Sequence, residues 1–500
     1  MVLGFQDPFL GQEVTSSPTL ARRSKQILFQ VATQNDWVVK KGDVTAAFLQ
    51  GRPLTKSKYC VAPPELAEAL GMGPGEKFVR LLKSVYGLTA APLEWFREVD
   101  RVLQLLGGKR CVTEPCCWTF KNKEGKHIGI IGSHVDDFLI AGDESSSEWK
   151  RIEETLLASF RWTPWEVGAF KQCGVEIIQD KDGIVQHQEE YLQGLTEIQL
   201  TKERVAQGSS PATAQEISEL RALLGGLQWL TTQSRPDVNI DVNLIQSRIT
   251  TATVDTLLTA NKILRKLRTN GTPKMYTRKI HGEVHVVCWS DASWANRPDG
   301  TSTGGYLIGL CDKKILDGDK THVTMVSWNS NKLRRVARSS LAAEVQAMSN
   351  SEDELHLVRG AWAEFNGGEF NLEDPDETIR QVPGTIIIDA KSIYDTLVSQ
   401  NQPLQLQEKR TALELLAYLK NTELNNTSTR WVHGEANLAD ALTKINASGM
   451  LREFMLTSEW LIVQDDKQRS AKKRKAQGIA KLEPDAGDTG PVPQFVDYAY

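Results

Sequence analysis

The sequence predicts an α+β protein: helices on one face of a mostly antiparallel sheet, followed by a region where strands and helices mix. Three observations predict it. Short apolar runs alternate with amphipathic helical segments as far as Phe160. The stretch "SHVDDFLIAGD" (Ser133–Asp143) joins two apolar runs across a tight turn, the pattern of a hairpin. From "EVHVVCWSDASWA" onward, strands and helices alternate around one long helix, which points to a further layered unit.

The elements follow in order. "LARRSKQILFQVATQNDW" has helical spacing at Ile27, Leu28 and Val31, and "WVVKKGDVTAAFLQG" then reads as a strand ending near Asp43. "APLEWFREVDRVLQLLGG" is an amphipathic helix stopped by Gly107–Gly108. After the double-aspartate hairpin comes the amphipathic helix "SEWKRIEETLLASF". "FKQCGVEIIQDKDGIVQHQEEYL" reads as a hairpin turning at "DKDG", and a helix-rich stretch follows to about Ile280. In the third region "VHVVCWSD", ending at Asp291, "STGGYLIGL" and "VTMVSWNS" are strands, and "SSLAAEVQAMSNSEDELHLVRGAWAEF" is a long helix. The strand "GTIIIDA", the helix "EKRTALELLAYLK", the strand "TRWVHG" and a final helix from "NLADALTK" complete it. One short helical segment is expected beyond Ile445, and then a Pro/Gly/Asp-rich tail of disordered composition.

Composition bounds the function. A chain of 500 residues is too long for one core, and 40% hydrophobic with 24% charged residues is ordinary for a soluble globular protein. No apolar run approaches the roughly 18–20 residues that span a bilayer, and "MVLGFQDPFLGQE" shows no secretory signal pattern. Seven cysteines at irregular spacing fit a reducing compartment. Those in "CVTEPCC" (Cys111, Cys116, Cys117) read as buried thiols, because no second cluster with metal-ligand spacing follows. The net charge of −4 argues against uniform nucleic-acid affinity but leaves room for local patches. Asn261–Ile280 holds seven basic residues and no acid, and Asn331–Ser340 holds four basic residues and no acid. A solvated helix face is the competing reading of each.

Two sets of acids carry the chemistry. Nucleotidyl transfer needs two divalent cations about 3.5–4 Å apart, held by carboxylates that converge from neighbouring strand ends. Asp43 at a strand end and Asp136–Asp137 at a hairpin turn have that chemistry; a solvated turn is the plain alternative. Asp291, Glu344, Asp389 and Asp440 lie at the ends or on the faces of four further elements. Converging on one side of a sheet, they could hold two Mg²⁺ ions that activate a water for phosphodiester hydrolysis.

The order of the motifs gives these acids a context. "DVTAAFLQG", then "LLKSVYGLTAAPLEWF", then "HVDDFLIAGD" resembles the reverse transcriptase of copia-type retrotransposons, with its Asp-Val-x-x-Ala-Phe-Leu-x-Gly strand and Tyr-Val-Asp-Asp hairpin. The likeness continues through "GVEIIQDKDGIVQHQEEYL" and "LRALLGGLQWLTTQSRPDV". "SDASWANRPDGTSTGGYLIG", "VSWNSNKLRRVARSSLAAE", "IIIDAKS" and "HGEANLADALTK" resemble, in order, the retrotransposon ribonuclease H domain. The resemblance implies a palm-type antiparallel sheet with helices in residues 1–165, below fingers that are truncated because "MVLGFQDP" resembles the end of the family's basic strand. It implies the end of the palm and a thumb or connection in 166–280, a ribonuclease H-like mixed α/β domain in 281–447, and a C-terminal segment with a tail in 448–500.

Residue by residue, the resemblance implies that Asp43, Asp136 and Asp137 bind the polymerase metals. Phe48, five residues after Asp43, matches the aromatic steric gate that selects deoxynucleotides; a core aromatic is the alternative. Gly87 and Pro92 match the segment that holds nucleotide and template, the glycine letting backbone approach substrate. His134 stands where the family has Tyr, and Thr89–Ala90 where it has Lys-Gln. Asp291, Glu344, Asp389 and Asp440 match the nuclease metal ligands. Lys262, Arg265, Lys266, Lys332, Arg334, Arg335 and Arg338 are the expected nucleic-acid contacts. His433 is a proton shuttle or a surface-loop histidine; Ser302 and Gly304–Gly305 read as strand-turn structure. The implied cofactor is Mg²⁺, two ions per site, with Mn²⁺ as substitute. The implied partners are RNA template, DNA primer, RNA–DNA hybrid, dNTPs and other products of the same polyprotein, with no membrane. The expected location is the cytoplasm, in a virus-like particle, and also the nucleus if "KKRK" (Lys472–Lys475) is an import signal. The function implied is RNA-directed DNA polymerase with ribonuclease H activity. A non-catalytic nucleic-acid-binding relic and a chain active only as ribonuclease H are the alternatives.

Overall fold

The computed structural model describes residues 2–462 except 8, 9, 74, 76, 270, 272 and 399–405. The Lys472–Lys475 run and the tail lie outside the described residues.

Helix α1 (Arg22–Gln34) leads into strand β1 (Val38–Asp43). Helix α2 (Ala91–Leu105) precedes β2 (Cys117–Lys121), β3 (His127–His134) and β4 (Asp137–Gly142), and helix α3 (Ser147–Ser159) follows. These strands form an antiparallel sheet in the order β2–β3–β4–β1, extended at its two edges by Lys109–Arg110 and Glu166–Val167. Alternation along β4 assigns the two faces. Phe138 and Ile140 join Trp95, Trp118, Trp149 and Leu156 under α2 and α3. Leu139 and Ala141 join Ile27, Leu28 and Val31 of α1. Helices therefore cover both faces, and the expectation of helices on one face is corrected. Gly129 and Gly142 pair across β3 and β4, and a Cβ on either would come within 2.1 Å of the Trp149 ring. The indole thus lies flat on bare backbone.

A second antiparallel sheet is built from β5 (Ala169–Gln172), β6 (Val175–Asp180) and β7 (Gly183–His187), with helices α4 (Ala214–Gln233) and α5 (Val254–Thr269) following in the chain. Strand β8 (Met275–Thr277) returns to pair with β7. The third sheet holds β9 (Val284–Ser293), β10 (Thr303–Asp312) and β11 (Thr321–Lys332), then β12 (Gly384–Ile388) and β13 (Thr427–Trp431), which come after the long helix α6 (Ser340–Phe365). Helix α7 (Lys409–Leu424) connects β12 to β13. The order is β13–β12–β9–β10–β11, with β12 parallel to both neighbours and the remaining pairs antiparallel.

One apolar cluster runs through α1, from Leu139 of the first sheet to Cys288, Val326 and Ile386 of the third and Val345 of α6. Ten consecutive residues of α1, Ser24–Thr33, are buried, so the helix is surrounded rather than half-exposed. Two sequence expectations are revised in the third region. Asp291 lies inside β9, two residues before its end. "NLADALTK" forms a 3₁₀ turn, Leu438–Leu442, because the Asn437 side chain accepts from the Ala439 N–H and caps it tightly; the α-helix comes later, as α8 (Ser448–Thr457). Among the described residues, no helix is long and apolar enough to cross a membrane.

Candidate active sites

The antiparallel register puts Asp43 directly opposite Asp137 across β1 and β4. The turn between β3 and β4 is Val135–Asp136, and the Asp136 carbonyl accepts from the Val44 N–H at 3.0 Å. Val135 has φ +61°, a left-handed conformation that costs a β-branched residue roughly 1–3 kcal/mol. The Trp95 indole N–H donates to the Val135 carbonyl at 2.7 Å and holds the turn from below. Burial pushes the Asp137 carboxyl above its usual range, with Asp43 and Asp136 adding to the rise, while Lys41 Nζ at 3.5 Å opposes it. Three acids thus share one sheet end, with a lysine at their side.

The second set is more compact. Asp291 is fully buried in β9, Glu344 projects from the first turns of α6, and Asp389 follows the end of β12. Ligand atoms of these three lie within 4.8 Å of one another. Burial raises the Asp291 carboxyl to about 7, and burial with Asp291 beside it raises Glu344 well above its usual range. Asp440 sits in the 3₁₀ turn and joins the group through Lys444, whose ammonium donates to Asp440 Oδ1 at 2.6 Å and Asp291 Oδ1 at 3.2 Å. The Thr443 hydroxyl also donates to Asp291 Oδ2. Packed carboxylates kept from water favour either protons or a cation. Asp291, Glu344 and Asp389 fit a hard divalent ion that takes oxygen ligands. The polymerase acids form no such group within 4.8 Å among the described residues.

Residues 5–208 match the family model described as reverse transcriptase (RNA-dependent DNA polymerase). The chain carries a reverse transcriptase domain. Its copia-type likeness extends further: it is 26% identical to the retrovirus-related Pol polyprotein from transposon RE1 of Arabidopsis thaliana, over 88% of this chain and 28% of that protein. Against the corresponding polyprotein from transposon RE2 of the same plant, identity is 27% over 88% of this chain and 29% of that protein. The chain thus spans less than a third of the length of these curated relatives. The foamy viral protease-reverse transcriptase dRH in complex with ds DNA aligns with 82% of this chain and 59% of its own, at 14% identity and a TM-score of 0.43.

Within the reverse transcriptase domain, Phe48 is half-buried and its ring lies 4.7 Å from that of the exposed Tyr86. Pro92 opens α2, its carbonyl accepting from the Ser17 hydroxyl at 3.1 Å. Gly87 has φ +102°, and a Cβ there would sit 1.8 Å from the Val2 carbonyl oxygen, so only glycine fits against that backbone. Cys111, Cys116 and Cys117 are buried free thiols. Ser302 is buried and accepts from the Ala295 N–H, while Cβ atoms on Gly304 or Gly305 would strike Leu333 or Leu442.

The basic residues divide. Arg265 pairs with Glu197 at 2.6 Å, Lys332 with Asp299 at 2.6 Å, and Arg335 with Glu414. Each of these three has a carboxylate partner at the surface. Lys262 and Lys266 are exposed on α5 and line a cleft with Asp241, Ile445 and Asn446; Arg334 and Arg338 are exposed ahead of α6. His433 caps the 3₁₀ turn Gly434–Ala436, its Nδ1 accepting from the Glu435 N–H at 3.3 Å.

Sequence reasoning missed Lys41, Lys444, Thr443 and Trp95. The i,i+4 spacing of Asp440 and Lys444 was a readable signal. Lys41 also stands two residues before Asp43, on the same face of β1. Nothing in the sequence marks Trp95 as the prop of a turn forty residues away.

Proposed function

We propose that this chain copies RNA into DNA at the Asp43–Asp136–Asp137 site and cleaves the RNA of the resulting hybrid at the Asp291–Glu344–Asp389–Asp440 site. The observation that carries the reading is two carboxylate groups on two sheet ends of one chain, the second with three ligand oxygens within 4.8 Å. Mg²⁺, two ions per site with Mn²⁺ as substitute, would supply stabilisation of the attacking and leaving oxygens. The chain's own groups do the rest. Asp43 and Asp137 face each other to hold the cations, the Phe48–Tyr86 ring pair bounds the sugar, and Thr443 orients Asp291. RNA template, DNA primer and dNTPs are the substrates of the first site, and RNA–DNA hybrid of the second. Other products of the same polyprotein are its partners, in a cytoplasmic particle.

A nuclease-only reading has a specific observation in its favour: Lys41 stands 3.5 Å from Asp137 while the polymerase acids lack a compact group. Two assays separate them. In Mg²⁺ the wild type should cleave a labelled RNA–DNA hybrid, and Glu344→Gln should lose roughly a hundredfold or more of that rate while still extending a primer. Asp136→Asn should show the reverse loss. Equal hybrid cleavage by wild type and Glu344→Gln would remove the nuclease assignment; absence of primer extension by wild type would leave the nuclease alone.

A further inference from the structure

The chain continues past Lys444 into Ile445 and Asn446, and these two residues line one side of a cleft of about 240 Å³. Its other walls are α5 and the short helix Asn239–Gln246. That volume lies below the roughly 300–1,000 Å³ of pockets for drug-sized ligands, so one flat ring system fills it. Val238, Leu244 and Ile245 are buried in its walls, Ile263 is half-buried, and Ile445 is 55% exposed. A flat ring between those aliphatic groups covers them without needing hydrogen bonds from them.

The charged groups of the cleft are unmatched. Asp241 stands among the aliphatic side chains, and burial raises its carboxyl above the usual range, with Lys266 opposing the rise. Among the described residues it has neither an ion pair nor a hydrogen bond. Asp237, one turn earlier, takes Arg235 and Arg452 instead. Lys262 and Lys266, one turn apart on α5, and Arg248 are exposed along the cleft, also without a carboxylate partner among the described residues. An acceptor therefore lies inside and three cations lie at the rim. This pattern fits a ligand with hydrogen-bond donors at one end and an anion at the other. An ionised carboxylate offers two acceptor oxygens and no donor. Among the RNA bases only guanine presents two adjacent donors, N1–H and N2–H₂, on its Watson–Crick edge. Adenine, cytosine and uracil each set an acceptor beside the donor.

We propose that this cleft binds a guanine nucleotide, with the base between Ile245, Ile263 and Ile445, its donor edge on Asp241, and its phosphate on Lys262, Lys266 and Arg248. Occupancy bears on the second set of acids, because Lys444, the neighbour of Ile445, donates to both Asp440 and Asp291. The inference stands apart from either proposed activity.

The test is calorimetry on the full chain with GMP, AMP, CMP and UMP, in a chelator so that no divalent ion carries phosphate to the carboxylate sites. GMP should bind about tenfold or more tightly than the other three, since two charge-assisted hydrogen bonds are at stake. Asp241→Asn puts a donor where an acceptor was. It should erase the preference while melting at or above the wild-type temperature, because it removes an unpaired charge from an apolar wall. Lys262→Gln, at an exposed position, should narrow the gap between GMP and guanosine about threefold, and it tests the phosphate end should Asp241→Asn not fold. A uridine-rich RNA ending in guanosine separates the two sources of the ligand. Displacement of GMP by that RNA assigns the site to an RNA end, and no displacement assigns it to the free nucleotide. Equal affinity for all four nucleotides, no binding of GMP, or an undiminished guanine preference in Asp241→Asn overturns the site. So does a Lys262→Gln chain that keeps the wild-type gap between GMP and guanosine.

Discussion

Glu352 shows how one buried side chain sets a pH dependence. It is 2% exposed on the face of α6 toward α7, its Oε1 lacks a hydrogen-bond partner, and burial lifts its carboxyl to about 8. Between about pH 4.5 and 8 the folded chain keeps a proton that the unfolded chain has released, so Glu352 lowers stability as pH rises through that window. Glu352→Gln is neutral in both states. The variant should match wild type below pH 4.5 and exceed it by roughly 2–4 kcal/mol above pH 8, read from denaturant midpoints at each pH. A constant difference across pH would contradict the assignment. The acids proposed for catalysis stand out in the sequence at this scale because carboxylates in ordered motifs are distinctive. Their supports do not, since Trp95 and Thr443 acquire meaning only through partners 40 and 152 residues away.

Elements were readable where alternation is clean. In β4, Phe138 and Ile140 against Leu139 and Ala141 give two faces directly. Helix α1 was readable as a helix but not as an enclosed one. Gln26 and Gln30 look like a solvent face in sequence, yet Gln26 exchanges hydrogen bonds with Gln186 and Gln30 donates to the Arg278 carbonyl. Polar residues inside a protein demand distant partners, and sequence spacing does not reveal them. The 3₁₀ turn carrying Asp440 reads as an α-helix in the sequence for a related reason. Its geometry depends on Asn437, whose amide also donates to the Ser290 carbonyl next to Asp291. Asn437→Ala should therefore cost about 1–2 kcal/mol of stability. It should also weaken Mg²⁺ binding measured by calorimetry. Unchanged calorimetry would show that Asp440 finds its place without the cap.

At the scale of the whole molecule, the shared cluster through α1 makes the first and third sheets one folding problem. Leu28 is fully buried in that cluster. Leu28→Ala should cost about 2–5 kcal/mol. Hydrogen exchange should report the loss equally in β3–β4 and in β9–β10. Loss of protection in the first sheet alone would mean that the two halves open independently. The resemblance divided the chain at 165 and 280, and nothing in local composition could have shown that a helix near the start would be built into both sides of that division.

That arrangement bears on how the two proposed activities are made. Because α1 carries apolar surface for each half, a protease cutting after Thr277 would leave two fragments with raw, sticky flanks, neither fit to persist alone. Copying and degrading would then stay bound in fixed one-to-one stoichiometry through any processing of a longer precursor.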